Sequence, residues 1–145
     1  MIIKKILAFI FIFSCAINFL QAQQRSVIDS AFSIAAEKNK NVLLIFSGSD
    51  WCAQCIRFEK KFLNDPGFIQ FVDSNLVLIT ADFPQAKKQS SEIKKQNEEL
   101  AERYNPSGKF PLILLLSPNR SVLGELDYRN ENPAEFIAMI NRYSP

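Results

Sequence analysis

The sequence contains no histidine, and that absence excludes more than any other single feature. Cys-His proteases, Ser-His-Asp triads and His-ligated zinc or copper sites all need an imidazole, so any chemistry here must run on thiols, carboxylates, lysines and backbone. Cysteine is nearly as scarce, with three in 145 residues. Long apolar runs are missing too: the stretch from Ile6 to Leu20, broken by Ser14 and Asn18, is about 15 residues against the ~20 that a spanning helix needs. There is no internal repeat or low-complexity tract, and the length suits one domain with one core.

What is there begins with a leader. Lys4 and Lys5 form a positive n-region, Ile6 to Phe13 an apolar h-region, and Leu20-Gln21-Ala22 a cleavage site before Gln23. This predicts a signal peptide over residues 1–22 and a mature domain over residues 23–145, periplasmic or secreted. Two alternatives stay open, lipidation at Cys15 and retention of the leader as an anchor, and only these would tie the protein to a membrane. The bulky Phe13 and the apolar stretch beyond Cys15 fit lipidation poorly. Removing Lys4 and Lys5 from 17 basic residues leaves 15 against 15 acidic ones, so the mature chain is formally neutral. No basic patch or interleaved aromatic run argues for nucleic acid. The same cut removes Cys15 and leaves Cys52 and Cys55 as the only thiols, in a compartment where disulfides form, which excludes a structural disulfide framework.

Along the mature chain, Val27, Ile28, Ala31, Phe32 and Ala35 recur at helical spacing. Val42 to Phe46 is a continuous apolar run of strand length, the pattern of a strand buried on both faces at the centre of a sheet. After the polar Ser47-Gly48-Ser49-Asp50 turn, Trp51 to Leu63 returns to helical period with Cys55, Phe58 and Phe62 on one side. Asp65-Pro66 reads as an N-cap and a proline at N1, opening a short helix through Val72. Asn75 to Phe83 is a second strand. Ile93, Leu100, Ala101 and Tyr104 mark a solvated helix ending at Asn105-Pro106, and the charges from Lys87 to Arg103 are its exposed face. Pro111 to Leu116 and Val122 to Leu126 form a hairpin around Pro118-Asn119-Arg120. Asn132-Pro133 with Glu135 resembles a capping-box start for a last helix through Tyr143. This order predicts an α/β domain with parallel pairing in the first half, an antiparallel hairpin in the second and helices on both faces.

Chemistry concentrates in Trp51-Cys52-Ala53-Gln54-Cys55. A cysteine at a helix N-terminus faces unpaired backbone N–H groups and the positive end of the helix dipole, both of which favour the thiolate. Cys52 is therefore the expected nucleophile, and Cys55, almost one turn later, the resolving cysteine. The pair supplies only two metal ligands, so no metal is expected. Glu59 follows Cys55 by four residues and projects from the same helical face, where it can accept or relay the proton Cys55 must lose, unless it is simply an exposed partner of nearby lysines. Asp50 reads as a solvated turn residue.

With Pro111 opening a hairpin strand far downstream of this motif, the chain resembles the thioredoxin superfamily. That resemblance implies a thioredoxin fold with a central mixed sheet of about four strands, and a cis bond at Pro111 packed against the active-site disulfide. Phe58-Glu59-Lys60, Phe62 and Asp65-Pro66 resemble, more narrowly, small exported thioredoxin-like proteins and the C-terminal periplasmic domain of the thiol:disulfide interchange protein DsbD, where a glutamate matching Glu59 lies near the cysteines. Two departures stand out. Thioredoxins commonly carry a buried aspartate six residues before the first cysteine, where this chain has Phe46, and the inter-cysteine pair is Ala53-Gln54.

The expectation is an exported thiol-disulfide oxidoreductase that reduces protein disulfides, with Trp51, Phe110 and Pro111 lining the substrate groove. No cofactor is required beyond the redox-active Cys52–Cys55 disulfide. The implied partners are protein thiols and disulfides and a redox partner that resets the cysteines, and the protein is expected to be a monomer. A disulfide oxidase or isomerase, or a non-catalytic thioredoxin-like binding module, remain the alternatives.

Overall fold

The unbroken apolar run lies where its composition requires. In the computed structural model, which describes residues 26–143, strand β1 (Asn41–Ser47) is buried from Val42 onward and lies second in a four-stranded sheet of order β2-β1-β3-β4. Strand β2 (Leu76–Asp82) runs parallel to β1, with Asn41 opposite Leu76 and Ser47 opposite Asp82. On its other edge β1 pairs antiparallel with β3 (Leu112–Leu116), which forms the hairpin with β4 (Val122–Glu125). The sheet is thus mixed, with four strands in the expected order. The predicted second strand is one residue shorter at each end, and Pro111 stands just before β3 rather than in it.

Successive side chains of a strand point to opposite faces, and β1 shows what that does to an all-apolar run. Leu43 and Ile45 join a core with Phe58, Phe62, Phe68, Val72, Phe136 and Ile140, whereas Val42, Leu44 and Phe46 join a second core with Phe32, Ala35 and Leu100. The first face is covered by α2 (Ala53–Phe58), α3 (Pro66–Asn75) and α5 (Pro133–Asn141), and the second by α1 (Val27–Glu37) and α4 (Ser91–Tyr104). Local chemistry fixes the helix starts. Asp65 caps α3 through Phe68 N–H with Pro66 at N1, and Asn132 and Glu135 form the reciprocal capping box of α5.

Two details depart from the helical patterns. The helix expected over Trp51–Leu63 begins at Ala53 and changes at Glu59 into a π-helical turn (Glu59–Leu63), while Phe62 stays fully buried. Phe62 stacks on Phe58 at 4.5 Å and meets Phe68 and Tyr128 edge-on, so the segment after the cysteines is riveted to the core by rings. In α4, which starts at Ser91 and not at Lys87, Ile93 is 48% exposed, whereas Asn97 is buried and donates to the Asp82 carbonyl at 2.8 Å. The predicted leader, its cleavage site and Cys15 lie outside the described residues.

Candidate active site

The chain leaves β1 at Ser47, turns through Gly48–Trp51 and enters α2 with Cys52 as its N-cap. The Cys52 backbone is extended (φ −84°, ψ 101°), and its sulfur accepts the Cys55 N–H at 3.2 Å, so a sulfur occupies the capping place that an oxygen usually takes. Cys52 and Cys55 are disulfide-bonded, with Cα atoms 5.2 Å apart. Both are buried, Cys52 at 7% and Cys55 at 2% exposure. Cys52 is the more accessible of the two.

Trp51 and Phe110 come together as the sequence suggests, their rings 5.3 Å apart and edge to face, and Phe83 extends the cluster by meeting Phe110 at 5.6 Å. Trp51 is 41% exposed, and its indole N–H donates to the Phe83 carbonyl at 2.7 Å. It lies flat against the turn because position 48 is glycine: a Cβ there would sit 2.4 Å from Trp51 Cε2. The Phe110–Pro111 peptide bond is cis, as the resemblance implies.

Asp50 is not the solvated turn residue that its sequence position suggests. Its carboxylate accepts the backbone N–H groups of Gln85, Ala86 and Lys87 at 2.8 to 3.0 Å. These bonds, Gln85's foremost, hold its carboxyl below the usual carboxylate range. Asp50 and Trp51 together pin the segment after β2 onto the turn that carries the cysteines.

Behind the disulfide lies a cavity of about 160 Å³. Cys55, Glu59 and Pro111 line it, together with Ile45 and Ser47 of β1 and Thr80 and Asp82 of β2. Glu59, whose N–H donates to the Cys55 carbonyl one helical turn back, does face the same space as Cys55. Phe46, the residue six before the first cysteine, does not: it belongs to the core on the opposite face of the sheet. The β1 residues that look into the cavity are Ile45 and Ser47, so β1 supplies no acid. The second acid comes from Asp82, which sequence reasoning missed. Asp82 Oδ1 accepts Ser49 N–H at 2.9 Å and its Oδ2 accepts the Ser49 hydroxyl at 2.7 Å. Its only sequence signal is a lone acid at the end of an apolar strand.

Among the described residues no group of three or more Cys, Asp and Glu is arranged to hold a metal ion, and no helix is long and apolar enough to cross a membrane. A dithiol delivered by a central strand to the first turn of a helix, beside a cis-proline that opens the antiparallel neighbour, defines the thioredoxin fold. A family described as thioredoxin-like matches residues 21–118, and the chain belongs to it. Among curated proteins it is similar to the disulfide bond reductase DsbH of Chlamydia pneumoniae, 27% identical over 110 residues, which are 76% of this chain and 66% of DsbH. A second relative, the thioredoxin-related protein DsbJ of the same organism, is 32% identical over 87 residues, 57% of this chain and 25% of that protein. The chain therefore spans just under two thirds of the first relative's length and a quarter of the second's. Among solved structures, a DsbH oxidoreductase superposes with a TM-score of 0.74 at 26% identity over 83% of each chain. The oxidised Neisseria meningitidis DsbD C-terminal domain gives 0.54 at 21% identity, over 79% of this chain and 90% of that one, a likeness of fold.

Proposed function

We propose that this protein is an exported thiol-disulfide oxidoreductase that reduces disulfides in other proteins. The observation that carries the reading is the placement of the Cys52 sulfur as the N-cap of α2, bonded to a more deeply buried Cys55. In the reduced protein, the N–H groups of the first turn stabilise a Cys52 thiolate, and the thiolate is the attacking species. It displaces one sulfur of a substrate disulfide as a thiolate and forms a mixed disulfide with the other. Cys55 gives up its proton and attacks the Cys52 sulfur, forming the bridge seen here and releasing the second substrate sulfur. Two electrons have then moved from the dithiol to the substrate. A redox partner must return them before the next turnover.

Trp51, Phe110 and Pro111 form the wall against which the substrate chain lies, and Glu59 assists the proton that leaves Cys55. The direction is supported by the DsbH relative, whose name is that of a disulfide bond reductase. Export is supported by the charged and apolar pattern of residues 1–22.

Turnover of insulin disulfides with dithiothreitol as donor tests the activity, with Cys52→Ser as the control that must abolish it. Equilibration with glutathione buffers tests the direction, because a reductase poises well below the glutathione couple. A potential above that couple would make the protein an oxidase or isomerase, and absence of Cys52-dependent turnover would leave a binding module.

A further inference from the structure

We propose that Asp82 is the group behind Cys55 that takes its proton when the mixed disulfide is resolved, with Glu59 passing that proton to solvent. The inference rests on the oxidoreductase reading above and assigns a residue to its second step. Parallel register puts Asp82 opposite Ser47, so both side chains emerge on the face of the sheet that carries α2. There Asp82 lines the same cavity as Cys55. Its neighbour Ala81 faces the opposite core, so a shift of one residue would remove the acid from the site.

The carboxylate is held rather than free. Ser49 donates to both oxygens, and the Asp82 carbonyl is fixed by Asn97 Nδ2 at 2.8 Å and Gln89 Nε2 at 3.1 Å. A carboxylate offers about four lone-pair directions, so two remain for the cavity. At about 160 Å³ the cavity has room for water, and a general base can act across one water molecule. Of the residues around it, the only titratable ones are Cys55, Glu59 and Asp82; Ser47, Ser49 and Thr80 are polar and uncharged. Glu59 is exposed while Asp82 is partly buried, which gives the two acids different access to solvent.

The step balances. The Cys55 S–H bond breaks, its proton goes to the Asp82 carboxylate directly or through water, and the sulfur lone pair forms the Cys55–Cys52 bond. The Cys52–substrate S–S bond breaks with its electron pair on the departing sulfur, and the proton held on Asp82 leaves through Glu59.

The reaction of reduced protein with the aromatic disulfide 5,5′-dithiobis(2-nitrobenzoate) separates the two steps, because each releases one coloured thiolate. The first phase scales with reagent concentration and reports attack by Cys52, whereas the second is independent of it and reports resolution by Cys55. Asp82→Asn is expected to slow the second phase about tenfold or more relative to the first, and Asp82→Glu to recover part of the loss. Equal slowing of both phases in Asp82→Asn would mean that the residue only braces the turn, and would overturn the proposal. Unchanged kinetics would do the same. A measurement needing no variant uses the wild type between about pH 8 and pH 6. With an internal base the second phase stays nearly flat, whereas a fall of about tenfold per pH unit, in step with bulk thiolate, would sink the assignment. A wild type that releases neither thiolate would instead defeat the oxidoreductase reading itself.

Discussion

The two sulfurs of one disulfide face unlike surroundings. On the Cys52 side the turn is built of aromatic rings and backbone, with Trp51, Phe83 and Phe110 packed edge to face and the carbonyl of Phe83 receiving the indole N–H. On the Cys55 side a small cavity is rimmed by hydroxyls and two acids. The first surface presents the half-exposed Trp51 ring beside the locked Asp50; the second is lined by Ser47, Ser49 and Thr80 and carries the acids Glu59 and Asp82. On the function proposed above, the difference assigns attack and resolution to separate equipment, with the apolar wall to meet the substrate and the polar pocket to handle the proton. If the two sides act separately, removing a part from one leaves the step served by the other unchanged.

The largest effect is the asymmetry between the cysteines. Cys52→Ser should reduce disulfide turnover to background, since it removes the sulfur at the helix start. Cys55→Ser should also end turnover but leave partner proteins covalently held on Cys52, because the first step survives and the second does not. Non-reducing gels of the two variants, incubated with an extract of exported proteins, check this. Covalent adducts on Cys52→Ser and none on Cys55→Ser would reverse the roles of the two sides.

The next disturbance falls on the apolar wall. Gly48→Ala places a methyl group 2.4 Å from the Trp51 ring, so the indole must move and its bond to Phe83 must lengthen or break. Overpacking of this kind costs about 1–3 kcal/mol. At this chain length that corresponds to a melting temperature lower by roughly 3–15 °C. The comparison predicts that attack by Cys52 on a protein disulfide slows, while the rate of resolution, measured in the same trace, changes little. A variant slowed equally in both steps would show that the two sides are mechanically one.

How much of this was legible beforehand follows from which interactions are local. The central position of β1, the caps at Asp65 and Asn132 and the start of α2 at the cysteines are written in short stretches, and they stand where the patterns place them. The acid behind Cys55 was not legible, because it depends on the pairing of Ser47 with Asp82 across two strands separated by more than one helix. Six residues before Cys52 stands Phe46, which brings no acid to the site, and the alternation of a strand turns its side chain to the far core. The exposure of Ile93, one of the apolar positions marking α4, and the burial of Asn97 have a similar reason. The Asp82 carbonyl at the end of β2 takes donors from the elements packed beside it, and the buried Asn97 supplies one alongside Gln89.

The smallest effect is the release of one loop by acid, and it acts on the Cys52 side alone. The carboxyl of Asp50 is held below its ordinary value of about 3.9 by the three backbone N–H groups that it accepts. A depressed folded-state value means that the contribution to stability is fully present above the ordinary carboxylate range and is lost as pH falls through the folded-state value. Docking of the segment 83–88 should therefore be constant from neutral pH down to about pH 5 and weaken only below about pH 4. Because Asp50 is at the surface, the expected change is local: backbone amides of Gln85, Ala86 and Lys87 lose protection from hydrogen exchange, and Trp51 fluorescence shifts, before the core signals move. In Asp50→Ala the same amides should be unprotected already at neutral pH, with no further change on acidification. If the three amides of the wild type stay protected until the whole domain unfolds, Asp50 is not what holds that segment. The wall around Cys52 would then owe its shape to Trp51 and the phenylalanine rings alone.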